Sequence, residues 1–391
     1  MGEALSKTDK LNKFNGIFLG IAAVMNFAVG AVSDYIAVSN LFPLSMIALG
    51  IVAILTNILY GQVMWRVSVK EFFFFFVFTV QVLVGVILGR SSNSIYYAQC
   101  FFCIGIPSLF LATRKIDYDI LRHTVLIVAI GSISHFISIL SREYTIYTSG
   151  EQMGNAYSIL VILFVAGWTL LDSDDHVLWK IISTIVVVLC FSILIKVMTR
   201  GAWLCVFAFL GYLLWKKTKR RKLFLLVIIF APLLVIIAWS IFTKYISHSE
   251  WFANIFSLKA GDLLNGRGNL LEYGFSYRGI FKMIFGSGIG AFYGSYRTYP
   301  HNLFAQLYYD QGMVALLTVV CFFISGCKGL MYNAVNGEKS DCFLILVICA
   351  GLVKLMVSSY FWIEQLFWIM MGLILNRSKY QTVLREGKKD E

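Results

Sequence analysis

Charge is what this chain has least of. Only 14% of its 391 residues are Asp, Glu, Lys or Arg, against 59% hydrophobic, and the mean hydropathy is +0.77. That shortage excludes a soluble globular domain, where about a quarter of residues carry charge. Other absences narrow the reading. There is no Pro/Ser-rich linker, low-complexity tail or internal repeat, so a single membrane domain over residues 1–391 is the simplest organisation. None of the eight cysteines lies in a large polar segment; all sit in or beside apolar runs, which implies no disulfide framework and no soluble metal knuckle. Cys100 and Cys103 enclose only Phe101 and Phe102 in an apolar helix, so they read as small core residues rather than a redox or zinc pair.

What is present is a succession of apolar runs long enough to cross a bilayer, which takes about 20 residues per helix. Twelve candidate spans lie near 14–33, 42–61, 72–89, 96–112, 121–140, 156–171, 177–196, 201–215, 223–243, 303–326, 342–359 and 361–376. Backbone groups in lipid must be satisfied within the segment, so the expected fold is all-α and polytopic. The Lys-rich start before the first run has the look of a signal peptide. The length of that run, and the second span directly after it, favour an uncleaved helix.

With both termini cytoplasmic, the inner segments hold about two thirds of the 33 basic residues, including the cluster from Lys216 to Lys222. The net charge of +12 is therefore a topology signal directed at anionic lipid, and no nucleic-acid partner is expected.

One large polar interruption remains, the segment 244–302 between the ninth and tenth spans, which this orientation places on the extracytoplasmic side. Its stretch Asn269–Phe285 carries apolar residues at a spacing that suits an amphipathic helix on the membrane surface. Gly286-Ser287-Gly288-Ile289-Gly290 follows. These glycines either let backbone approach a phosphate closely or only make a tight turn. No Gly-Lys-Ser/Thr follows them, so this is not a nucleotide P-loop.

Three residues stand out as candidates for chemistry. Arg200, in Thr199-Arg200-Gly201, falls at the outer junction of two spans. Alone it reads as a snorkelling interfacial arginine. Arg267, in Gly266-Arg267-Gly268, adds a second guanidinium on the same side, and a pair of planar forks suits a phosphate or diphosphate. On a face without nucleotides, that suggests a lipid diphosphate. His301 precedes a helix that re-enters the membrane. It is either a polar helix-start residue or a general base able to take a hydroxyl proton near neutral pH. Asp310, deeper in that helix, reads as a structural or orienting charge.

At these residues the chain resembles the O-antigen polymerase/O-antigen ligase superfamily of bacterial envelope glycosyltransferases. The likeness rests on Thr199-Arg200-Gly201, on the Arg-rich outer loop with Gly266-Arg267 and Gly286 to Phe292, and on His301-Asn302, nine residues, then Gly312. Ala315 stands where a glycine is frequent. The patterned part runs from about 196 to 315; elsewhere the likeness is one of hydropathy and span number.

The resemblance implies transfer of an oligosaccharide from undecaprenyl diphosphate to a sugar hydroxyl at the outer face of the bacterial cytoplasmic membrane. Arg200 and Arg267 would bind the diphosphate and His301 would orient or deprotonate the acceptor. Arg278, Arg297, Asn302, Gly288 and Gly290 would be secondary contacts to diphosphate or sugar. No metal and no cofactor is called for. A flippase and a chain-length regulator of the same pathway are the implied protein partners. Polymerase is favoured over a ligase acting on a lipid A core. A lipid-linked oligosaccharide flippase is the weaker alternative, because Lys354 and Asp310 are the main charges within the spans.

Overall fold

The computed structural model describes residues 2–35, 40–60, 69–89, 92–143, 149–172, 175–197, 199–217 and 267–387. Every regular element among them is helical, and no strand occurs. Seven helices are long and apolar enough to cross a membrane: Lys7–Ser33, Leu41–Leu59, Ser94–Ala112, Glu151–Leu171, Val177–Val197, Leu303–Gly326 and Lys339–Val357. An eighth forms if Tyr118–Gly131 and Ile133–Ser141, bent by 53°, count as one span. The bend falls at Gly131-Ser132, a residue pair known to kink helices. Helices also occupy Val69–Gly89, Arg200–Lys217 and Gln365–Gly387, where the sequence anticipates further spans. The anticipated span at 223–243 and the loop residues 244–266 lie outside the described residues. Among the described residues, seven or eight helices meet the length and hydropathy requirement, against twelve spans expected for the whole chain.

Several hydroxyl groups inside these helices are satisfied locally. Thr56, Thr124, Thr184, Ser192 and Thr318 each donate a hydroxyl hydrogen to the carbonyl four residues earlier, at 2.7–2.9 Å. Close packing uses small residues. A methyl group at Gly16 would strike the carbonyl of Asp117, and one at Gly20 would press on Leu121 and Thr124, so the first helix lies tight against Tyr118–Gly131. The Gln365–Gly387 helix occupies the centre. Its residues from Leu366 to Leu375 are buried, and Trp368 meets Phe101 and Phe78 while Phe367 meets Phe361. Leu41–Leu59 and Val177–Val197 bury little of themselves and form the periphery.

Hydrogen bonds gather the helix ends into two polar layers. One holds Arg122, whose guanidinium lies 2.5 Å from Asp119 and 2.8 Å from both Asp172 and Asp175, above the Trp168 ring. Lys339 joins through Asp119, and Arg377 bonds Asp341 at 2.8 Å and the carbonyls of Gly326 and Lys328. The opposite layer holds Asp34, which pairs with His135 at 2.6 Å and Arg142 at 2.5 Å; Arg142 also meets Glu151. In the orientation expected from the charge bias, the first layer would face inward and the second outward. His135 is thus a core histidine with a carboxylate partner.

Arg122 is 1% exposed and faces three carboxylates. Its removal leaves buried negative charges uncompensated. Arg122→Met should therefore destabilise the protein by about 3–5 kcal/mol. Thermal unfolding of purified protein in detergent, compared with Lys13→Met at an exposed i,i+4 pair, measures this; an unchanged melting temperature contradicts it.

Candidate functional site

The outer loop is described from residue 267 onward, and its one expected amphipathic helix is in fact two. Arg267–Gly274 and Ile280–Phe285 are separated by an irregular stretch in which Gly279 takes a φ of 88°. Arg278 explains the interruption. Its Nη1 donates to Ser287 Oγ at 2.6 Å and to the Tyr309 carbonyl at 2.7 Å, its Nη2 to the Tyr308 carbonyl at 3.3 Å, and the guanidinium lies 3.8 Å from the Tyr309 ring centroid. A helix running through this position would not direct the side chain to those carbonyls. Burial lowers the pKa of Arg278 from its ordinary value. Phe275, Tyr277, Ile280, Phe281 and Phe285 remain exposed, an apolar rim suited to the lipid interface.

The glycine segment lies against the Leu303–Gly326 helix. Ser287 N donates to the Tyr309 carbonyl and Gly288 N to the Asp310 carbonyl, both at 3.0 Å. Gly290 N and Phe292 N donate to the Asp310 carboxylate at 3.2 and 3.1 Å. Of the two alternatives left open by the sequence, the tight turn accounts for this geometry: the amides of Gly288 and Gly290 already have protein acceptors. The helix answers with its own distortion. Gly312 takes a φ of 79° inside it, and a methyl there would collide with the carbonyl of Ile284; one at Gly286 would collide with the carbonyl of Asp310. The glycine at 312 is thereby given a structural cause, since the backbones of loop and helix touch at the two glycines.

Asp310, 1% exposed, also accepts a hydrogen bond from the Tyr360 hydroxyl. Burial beside that carboxylate pushes the Tyr360 pKa well above its ordinary value, so the hydroxyl stays a donor. Tyr360 stacks on Tyr97 at 4.4 Å and meets the edge of Tyr299, whose ring lies 4.2 Å from the imidazole of His301. His301 is half-buried with a φ of 52°, an uncommon conformation for a non-glycine residue and frequent at functional sites. Asn302 caps the following helix, accepting from Phe304 N at 3.0 Å and Ala305 N at 3.1 Å. Its side-chain oxygen is occupied by that role. Arg297 is exposed at the end of Ala291–Tyr296 in the left-handed region.

Arg200 opens the helix Arg200–Lys217 and is exposed. The Gly201 beside it sits against the Tyr157 hydroxyl so closely that any side chain would clash, and Val357 lies on the same side. Lys354 stands over the Tyr157 ring at 5.0 Å and pairs with Glu364, which also accepts from Ser359 Oγ at 3.2 Å. The corner Val357–Glu364 therefore joins the two halves of the site: Tyr360 faces Asp310, Tyr299 and His301, while Ser359 and Glu364 face Lys354, Tyr157 and the Arg200 junction. Beside this corner a cavity of about 420 Å³ opens between the outer ends of the first, second and last helices, near Ser33, Asn40 and Ser359.

Of the predicted residues, Arg278, Gly288 and Gly290 meet through Asp310 and the adjoining carbonyls. His301 and Asn302 adjoin them at the start of the same helix, and Gly201, next to Arg200, lies against Val357 at the corner. Arg267 begins its helix, but its side chain lies outside the described residues. Sequence reasoning missed Tyr360 and the Lys354–Glu364 pair. Residues 361–376 read as a continuous apolar span there, which hid the acidic residue ten positions after the lysine; that spacing within an apolar hairpin was the available signal.

Comparison with known proteins agrees with these motifs. The family model described as O-antigen ligase matches residues 185–320, a stretch that includes Arg200, Arg267, Arg278, Arg297, His301 and Gly312. No curated protein and no solved structure matches the chain.

The glycine contact is testable without knowledge of the substrate. Gly312→Ala should separate loop from helix and raise the rate of limited proteolysis within 267–300 severalfold, because backbone atoms rather than flexible side chains receive the clash. Gly294→Ala, where an added methyl meets nothing within 4 Å, should cleave at the wild-type rate. Equal cleavage of the two variants would show that the loop is held by other means.

Proposed function

We propose that the chain polymerises undecaprenyl-diphosphate-linked repeat units at the outer face of the bacterial cytoplasmic membrane, a reading supported by the match of the O-antigen ligase family model over residues 185–320. A family of this kind supports O-antigen polymerase/ligase-type glycosyl transfer in general. The finer reading rests chiefly on one observation. The neighbours of His301 and Arg200 both meet the Val357–Glu364 corner: Tyr299, which touches His301, meets Tyr360, and Gly201, next to Arg200, lies against Val357.

In the proposed reaction Arg200 and Arg267 hold the donor diphosphate. His301 accepts the proton of the acceptor hydroxyl as its oxygen attacks the anomeric carbon. The bond from that carbon to the diphosphate oxygen breaks, and the lipid diphosphate leaves with the electron pair. Guanidinium groups aimed at the departing oxygens stabilise the charge that grows there. Direct attack inverts the anomeric configuration. Arg278, Asn302, Gly288 and Gly290 serve this reading by positioning the loop and helix that carry the reacting groups, and Arg297 remains exposed for donor or acceptor.

Polymerase is preferred to ligase, which shares the chemistry and differs in acceptor. Complementing a deletion of the gene with Arg200→Lys, Arg267→Ala or His301→Ala should each lower transfer by about two to four orders of magnitude. Surface polysaccharide on a gel should collapse from a ladder to single repeat units. A lipid-linked polymer that accumulates unattached would identify a ligase instead. Normal ladders in all three variants would sink the assignment of the site.

A further inference from the structure

The cavity at the Val357–Glu364 corner lies largely outside the residues that carry the transfer chemistry, and its lining is unusual for a membrane bundle. Lys354 and Glu364 face each other with side chains 14% and 6% exposed. Tyr96 and Tyr157 add aromatic surface, and Ser359 and Gln365 add polar groups. Gln365 is 5% exposed; its Nε2 donates to the Ala23 carbonyl at 3.3 Å, while its Oε1 has no hydrogen-bond partner among the described residues. Such an acceptor, buried beside a cavity, is costly unless something supplies a donor.

The charges decide what kind of ligand completes it. Lys354 is already neutralised by Glu364, so an anion such as a diphosphate would have to displace a buried carboxylate and then lie beside it. A lipid chain offers no hydrogen bond to Gln365 Oε1. A sugar ring satisfies both demands: its hydroxyls donate to Gln365 Oε1 and Glu364 and accept from Lys354, and its C–H faces lie on tyrosine rings. A cavity of about 420 Å³ is of the size that small polar ligands occupy.

We propose that this cavity is a saccharide subsite that holds sugar residues of the repeat unit, recognised through Gln365, Glu364 and Lys354 on a tyrosine platform. The proposal rests on the polymerase reading for the identity of the saccharide, but not for its existence.

The test uses full-length protein in nanodiscs and, as probe, the producing strain's repeat-unit oligosaccharide released from its lipid carrier by mild acid. Saturation-transfer NMR should detect binding to wild type. Gln365→Leu, and the double variant Lys354→Met/Glu364→Met, which removes the ion pair without leaving a lone buried charge, should weaken binding at least tenfold with little change in melting temperature. His301→Ala should bind as wild type does, and inorganic pyrophosphate should not compete. Absence of binding to wild type, undiminished binding in both cavity variants, or displacement by pyrophosphate would each overturn the subsite. The two readings fail separately. A lost ladder in His301→Ala with undiminished saccharide binding in the cavity variants refutes the subsite alone. A normal ladder in His301→Ala with Gln365-dependent binding refutes the reaction alone.

Discussion

The carboxylate of Asp310 is the group on which the outer half of the molecule depends. It accepts from two backbone amides of the loop and from the hydroxyl of Tyr360, thereby joining the 286–292 segment, the Leu303–Gly326 helix and the corner before the last helix. A buried carboxylate is tolerated only when fully hydrogen-bonded, and these donors supply that condition. Remove any of the three elements and the acid loses part of its solvation. The arrangement is thus self-consistent: the loop is fixed by an acid that would itself be unstable without the loop. Arg278 adds the neighbouring carbonyls of Tyr308 and Tyr309 to the same junction.

That dependence accounts for features of the sequence that are otherwise arbitrary. The glycines at 286 and 312 permit two backbones to touch where any side chain would collide. The ring series from His301 through Tyr299 and Tyr360 to Tyr97 carries the position of the imidazole into the bundle without a flexible link. Among the described residues four non-glycine residues adopt positive φ, and three of them, Arg297, His301 and Ser359, belong to the loop end or the corner. Strain of this kind persists only where surrounding contacts over-determine it.

Much of this was legible beforehand, for reasons that differ by residue. Apolar runs reveal helices because lipid permits little else, and the conspicuous charges Arg200, Arg278, His301 and Asp310 stand out against such a background. Less legible were roles. Arg278 looked like an anion contact, yet it bonds carbonyls 30 and 31 residues away, a pairing no local pattern encodes. The helix expected over 269–285 is interrupted because a tertiary contact overrides local periodicity. Glu364 and Tyr360 were concealed by the apolar residues around them, since hydropathy averages over a window and their partners are distant in sequence.

The two buried acids of this layer show why the site is divided between loop and bundle. Asp310 meets only uncharged donors apart from the nearby Arg278, and its environment fixes geometry. Glu364 meets an ammonium group, so the pair presents polarity without net charge to the cavity beside it. On the proposed reading, an anionic donor would meet arginines at the membrane surface rather than displace the interior carboxylate. Sugar hydroxyls, being neutral, can enter where a diphosphate cannot without displacing the internal carboxylate. The proposed separation of charged and neutral recognition would follow from burial alone: as the lining becomes drier, net charge becomes harder to accommodate, while hydroxyl groups still find partners.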